Sequence, residues 1–163
     1  MKQLFIIRHA KAELHSLCKK DFDRDLVDKG INRAQQIAEK LNRHITIDDK
    51  TLIISSPANR AKQTAVIFAE ILNHPVDLIQ YEPSIYEAST KDLVKVVNNI
   101  PSHIDKVLLF GHNPSLSDFI YYCSDQNINL KTSACAQLIL VDELDFSHLS
   151  KGTATLASLL SDE

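Results

Sequence analysis

The sequence predicts an α/β domain built on a largely parallel sheet, and three observations carry that prediction. Short unbroken apolar runs recur at residues 4–7, 52–54 and 107–110, as strands buried on both faces require. Segments with apolar residues at three- and four-residue spacing follow them, the pattern of helices lying over a sheet. The 163 residues, 44% of them hydrophobic, suffice for one ordinary domain with its own core, so a single domain over 1–163 is expected.

Each element has its own signal. The run 4–7 is short and Ile-rich and reads as the first strand. Residues 11–29 are mostly polar, a connection long enough to mark it for function. A helix then carries Ile31, Ala34, Ile37, Ala38 and Leu41 on one face, with Asp28 as its expected cap. After the strand at 52–54, Ser56-Pro57 opens a helix, because Pro is tolerated in a first turn. That helix buries Ala61, Ala65, Phe68, Ala69 and Leu72 and stops before Pro75. Residues 76–79 form a further strand candidate.

Ser89 and Asp92 have the spacing of a capping box, opening a helix through Leu93, Val96, Val97 and Ile100 that Pro101 closes. The strand at 107–110 comes next. Beyond His112-Asn113-Pro114, a helix places Leu116, Phe119, Ile120 and Cys123 together. Residues 138–141 and 154–160 read as late strands, the second near an edge of the sheet.

Composition narrows the function classes. The net charge is −3 and no run of Lys or Arg stands out, so nucleic acid and anionic membrane are not expected partners. The N-terminal apolar run is too short for a signal peptide, and no stretch approaches the roughly 20 apolar residues of a membrane span. Cys18, Cys123 and Cys135 are odd in number and form no CxxC pair, which fits reduced thiols in a cytoplasmic protein.

The chemistry collects where the apolar strands end. The first runs into Arg8-His9, the second into Ser56-Pro57 and then Arg60, and the third into Gly111-His112-Asn113-Pro114. In an open parallel sheet, segments leaving the carboxyl ends of the strands line one crevice. Two arginines and two histidines should therefore meet there, joined by the N–H groups and positive dipole ends of the helices after Pro57 and Pro114. Nothing acidic lies within these immediate strand-end segments. Two guanidinium forks suit a phosphoryl group, whose several oxygens they grip at once. Phosphoryl transfer is mostly positioning and charge stabilisation, and an imidazole can be its covalent nucleophile. His9 is the better choice for that role than His112, since Arg8 and the first strand fix its backbone on the crevice floor.

These residues resemble the histidine phosphatase superfamily. Its Arg-His-Gly signature is matched by Arg8-His9-Ala10, and its Ser-Pro…Arg-Ala-x-Gln-Thr by Ser56-Pro57 through Arg60-Ala61-Lys62-Gln63-Thr64. Its late Gly/Ser-His is matched by Gly111-His112. The short length, the Arg-His-Ala-Lys-Ala opening and Asp28-Lys29-Gly30 are similar to SixA-type phosphohistidine phosphatases. The resemblance implies a three-layer α/β/α sandwich of the phosphoglycerate mutase-like kind, with no metal or organic cofactor. It implies that His9 is phosphorylated while Arg8, Arg60 and His112 bind the transferred group. The substrate would be a protein carrying phosphohistidine, or else a small phosphate ester. Larger members place a general acid after the third strand; in the corresponding segment here, Ser84-Ile85-Tyr86-Glu87-Ala88, Glu87 is the one close candidate.

Two other patterns carry no chemistry. Cys18 and Arg24 have the spacing of a cysteine-dependent phosphatase loop, but no buried strand precedes them and the interval holds two carboxylates and no Gly. His9 and His112 have no ligand spacing for a metal, and two arginines beside them would repel one. A non-catalytic phosphate- or phosphoprotein-binding module is the rival from another class; retention of both histidines and both arginines argues against it, since binding alone does not require a nucleophile.

Overall fold

A computed structural model of the protein describes residues 1–162. In chain order the elements are β1 (Gln3–Arg8), α1 (Asp28–Asn42), β2 (Thr51–Ser55), α2 (Asn59–Leu72) and β3 (Gln80–Tyr81). Then follow α3 (Thr90–Asn98), β4 (Lys106–Gly111), α4 (Ser115–Ser124), β5 (Cys135–Leu140) and β6 (Ala154–Leu160). The six strands form one sheet in the order β3-β2-β4-β1-β5-β6. β3, β2, β4 and β1 run parallel, whereas β5 and β6 are antiparallel to their neighbours, so the sheet is mostly parallel as expected.

The strand alternation sorts side chains into two cores. Leu4, Ile6, Leu52, Ile54, Val107 and Leu109 pack on α3 and α4. Phe5, Ile7, Ile53, Leu108 and Phe110 pack on α1 and α2, where Phe68 and Phe110 meet edge to face at 5.1 Å. The result is the three-layer α/β/α sandwich. Register aligns the strand ends: Arg8 pairs with Gly111 and Ser55 with Phe110, so β1, β2 and β4 open at one level.

Several local expectations shift. Asp28 does not cap α1; it is the first helical residue, Val27 holds the cap position and no side chain caps the helix. The start is set instead by tertiary pairing, with Val27 N–H donating to the Lys11 carbonyl, and Asp28 keeps a favourable place at the positive end of the helix. The helix after Ser56-Pro57 opens two residues past the proline, the Ser56 hydroxyl accepting the Ala58 N–H at 3.2 Å. Residues 76–78 form a 3-10 turn rather than a strand, because Val76 and Leu78 point to solvent and only Ile79 enters the core. The edge strand follows at Gln80–Tyr81 and pairs just two residues. The capping box of Ser89 and Asp92 is present in both directions. Among the described residues, no helix is long and apolar enough to cross a membrane.

Candidate functional site

The long connection after β1 is a strap laid back along the site. Ala12 and Leu26 pair antiparallel, and Lys19 Nζ bridges Glu13 at 2.7 Å and Asp25 at 2.9 Å. Gln63 and Asn59 of α2 hold its far end, Gln63 donating to Asp25 at 2.8 Å and accepting the Leu26 N–H at 2.8 Å. Gly30 is required where α1 crosses this strap, since a Cβ there would overlap the Lys11 carbonyl. Thr64 ties α2 to the exit of β1: its hydroxyl accepts the Ala10 N–H at 2.9 Å and donates to the Arg60 carbonyl at 2.7 Å. The Gln-Thr pair of the second signature thus has a mechanical role.

The strand ends bring the expected residues together. His9, His112 and Arg60 are buried, Arg8 is half-buried, and the two imidazole centroids lie 5.3 Å apart. His9 Nδ1 lies 2.7 Å from the Ala10 carbonyl oxygen, which can only accept. Nδ1 therefore carries the proton, and Nε2 is left with its lone pair. Burial is the main reason His9 is lowered to about 4, with the Arg60 and Arg8 charges adding and the Ala10 bond opposing. Burial likewise lowers His112 to about 3, with His9 and Arg60 contributing. Both rings are neutral at pH 7.

His112 Nε2 is 2.8 Å from the Ser56 hydroxyl. That hydroxyl accepts from Ala58 N–H and can donate its own proton to Nε2, the arrangement in which the imidazole proton sits on Nδ1. Arg8 Nη1 donates to the Leu130 carbonyl at 3.1 Å, and Asn113 donates to the same oxygen at 2.7 Å. Ser133 N–H reaches the Arg8 and His9 carbonyls at 3.1 and 3.2 Å. Among the described residues, the buried side-chain nitrogen and oxygen atoms without a hydrogen-bond partner are Arg8 Nε, Arg60 Nε, His112 Nδ1 and Ser133 Oγ. All four belong to this cluster.

Two participants escaped the sequence reading. Asp21, on a 3-10 turn of the strap, pairs with Arg60 and Arg24; its Oδ2 lies 3.0 Å from Arg60 Nη2 and its Oδ1 2.7 Å from Arg24 Nη1. Tyr86 donates its hydroxyl to Asp21 Oδ2 at 2.7 Å and stacks edge-on against His112 at 5.6 Å and Phe22 at 5.2 Å. Desolvation pulls the Asp21 carboxyl upward, but the bonds from Tyr86, Arg24 and Arg60 outweigh it and hold the group far below the usual range. Burial and the Asp21 charge push Tyr86 up to about 12. The strand-end segments themselves hold no acid, as expected, yet the strap delivers one. The Asp21-x-x-Arg24 spacing, an i,i+3 ion pair inside a long loop, was the available signal.

Glu87 follows Tyr86, exposed to solvent at φ 56°. Cys18 is an exposed loop thiol, while Cys123 and Cys135 are buried. Among the described residues, no group of three or more His, Cys, Asp or Glu is arranged to hold a metal.

Comparison with known proteins supports the fold and the family. A search of curated proteins found no match. Solved structures share the fold over nearly the whole chain. The SixA protein of Agrobacterium tumefaciens is 22% identical with a TM-score of 0.79, covering 99% of both chains. The SixA of Nakamurella multipartitia is 19% identical with a TM-score of 0.82, covering 98% of this chain and 95% of its own. A protein histidine phosphatase SixA bound to tungstate is 24% identical with a TM-score of 0.76, covering 98% and 96%. The family model for the histidine phosphatase superfamily (branch 1) matches residues 4–114, a span running from the first strand through the His112 signature, and the chain belongs to that superfamily.

Proposed function

We propose that the protein is a phosphohistidine phosphatase that works through a phosphorylated His9. The observation that carries this reading is the set of buried donors without partners, Arg8 Nε, Arg60 Nε and His112 Nδ1, around a neutral imidazole whose Nε2 holds its lone pair. Leaving buried donors unpaired is costly, so a fold that keeps several in one place is suited to a ligand with several acceptors. The tungstate found in a structural neighbour is a tetrahedral oxyanion of that kind.

In the first step His9 Nε2 attacks phosphorus; its N–P bond forms as the substrate's N–P bond breaks. The substrate's imidazole, protonated on its other ring nitrogen, departs as the neutral base and keeps the electron pair of the broken bond. Water then attacks phospho-His9: its oxygen joins phosphorus as the P–Nε2 bond breaks, its protons pass to the released phosphate and to solvent, and Nε2 recovers its lone pair. Arg8, Arg60 and His112 bind the equatorial oxygens, where charge is spread in the transition state. No step requires a metal, and chelators should have no effect.

The same site supports the choice of substrate. Asp21 is held ionised and Glu87 stands in solvent, so neither is a poised proton donor to a leaving group. A phosphohistidine protonated on its free ring nitrogen expels neutral imidazole, the conjugate base of a group with a reference pKa of about 6.5, and so reacts near neutral pH without one. The test sets a phosphohistidine peptide against phosphoserine and sugar phosphates. Wild type should turn over the first in strong preference, trap acid-labile phosphate on His9, and lose all turnover as His9→Ala while remaining folded. Full activity of that variant would end the proposal.

A further inference from the structure

Arg60 reaches the site under unusual restraint. Its Nη1 donates to the Asp21 main-chain carbonyl at 2.7 Å and its Nη2 to Asp21 Oδ2 at 3.0 Å. Two bonds from one planar group to one residue fix its rotation as well as its position. Asp21 is itself clamped, since Oδ2 also accepts from Tyr86 at 2.7 Å and Oδ1 from Arg24 at 2.7 Å. The atom that Arg60 keeps back is Nε, buried and without a partner.

We propose that Asp21, clamped by Tyr86 and Arg24, is the positioning residue of Arg60, holding the guanidinium so that Nε–H and its adjoining edge face the phosphoryl group. This rests on the phosphatase reading above. A carboxylate beside a phosphate-binding arginine would at first sight weaken the site, because it neutralises charge the phosphoryl group could use. Two observations set that aside. A competing anion would take the whole fork, whereas Asp21 engages the terminal nitrogens and leaves Nε untouched. A competing anion would also need freedom to withdraw. Asp21 instead sits on a strap tied to α2 through Asp25, Gln63 and Asn59, with its carboxylate held on both oxygens. What the pocket loses in net charge it recovers in preorganisation, the larger factor when the reaction demands little beyond placed donors.

The test is a double-mutant cycle on kcat/KM with a phosphohistidine peptide, using Asp21→Ala, Asp21→Asn, Arg60→Ala and the Asp21→Ala/Arg60→Ala pair, with thermal melts to establish folding. Asp21→Ala should lose about 10- to 100-fold, the scale of misplacing a catalytic group by an ångström. Asp21→Asn, which keeps an acceptor and the backbone contact, should recover part of it. In the Arg60→Ala background, Asp21→Ala should add nothing, because its effect runs through that guanidinium. Tungstate affinity, measured by calorimetry, carries the same cycle where turnover is too low to compare. Additive losses, or tighter tungstate binding by Asp21→Ala, would overturn the proposal and leave Asp21 a structural or competing carboxylate. An Arg60→Ala variant with undiminished turnover would overturn the phosphatase reading itself.

Discussion

The two ends of β1 carry cations that are treated in opposite ways. Before the strand, Lys2 Nζ spends its three protons on the Ser102 carbonyl at 2.5 Å, the Ile104 carbonyl at 2.6 Å and Asp105 at 3.1 Å. Asp145 lies 3.6 Å away and the Phe146 ring is beneath it at 5.5 Å. At the other end, Arg8 gives one nitrogen to a carbonyl and withholds a buried Nε, while Arg60 alongside gives its two terminal nitrogens to Asp21 and likewise withholds its Nε. A cation kept for architecture has its donors used by its own chain. One kept for a ligand holds donors in reserve, at a cost of about 1–3 kcal/mol for each buried group left unpaired.

The sharpest way to break this contrast is to truncate both kinds of cation. Arg60→Ala and Arg8→Ala should each lower kcat/KM by about 10²–10³, as removal of an oxyanion donor does. Arg→Lys should recover little, since a point charge cannot reproduce the fork. Lys2→Met should leave kcat/KM unchanged and lower the melting temperature instead. Vanadate should raise the melting temperature of wild type and of Lys2→Met by mass action, and fail to do so for Arg60→Ala. Loss of activity in Lys2→Met, or retention of it in either arginine variant, would erase the distinction.

A smaller effect should show in the pH dependence of stability. His9 is lowered to about 4 and His112 to about 3 in the folded protein, against about 6.5 when unfolded. Between those values the unfolded chain binds protons that the folded chain refuses. Stability is therefore full above about pH 6.5 and declines as the pH falls toward 4, by at most roughly 3 kcal/mol for His9. Denaturant unfolding across that window should show the slope, and His112→Asn should flatten it. An unchanged slope would mean that the two rings are not the groups paying for burial.

How far each half of the site could be read from the sequence follows from the same geometry. Arg8, His9, Arg60 and His112 were legible because strand ends in a parallel sheet converge by topology, whatever the loops do. The buried strands and the Ser89 cap were legible from local pattern alone. Asp21 and Tyr86 were not, since the Asp21–Arg60 pair spans 39 residues and the Tyr86–Asp21 pair 65, and both depend on the path of loops that carry no periodic signal. Residues 76–79 misled for a related reason: an edge that pairs two residues needs no alternation, and Pro75 begins a turn instead. Asp28 misled because strap pairing, not capping chemistry, decides where α1 begins.

The smallest expected effect belongs to Glu87, and its size separates it from Asp21. The two carboxylates flank Tyr86 in space, but Asp21 is bound on both oxygens while Glu87 is exposed one residue along the chain. An alkoxide leaves badly, so a phosphate ester gains from an acid at the bridging oxygen, typically about 10²- to 10⁴-fold. An imidazole gains little. Glu87→Gln should accordingly leave phosphohistidine turnover unchanged, where Asp21→Ala reduces it. The variant keeps side-chain length and faces the same φ of 56°, so backbone strain does not confuse the comparison. Assaying both substrates assigns the residue. A loss confined to alkyl phosphates would make Glu87 the general acid for a secondary activity. Equal and large losses on both would place it in the wall of the pocket and contradict the solvent position seen here. No loss on either would leave the site without a dedicated acid, which is the condition that favours an imidazole leaving group.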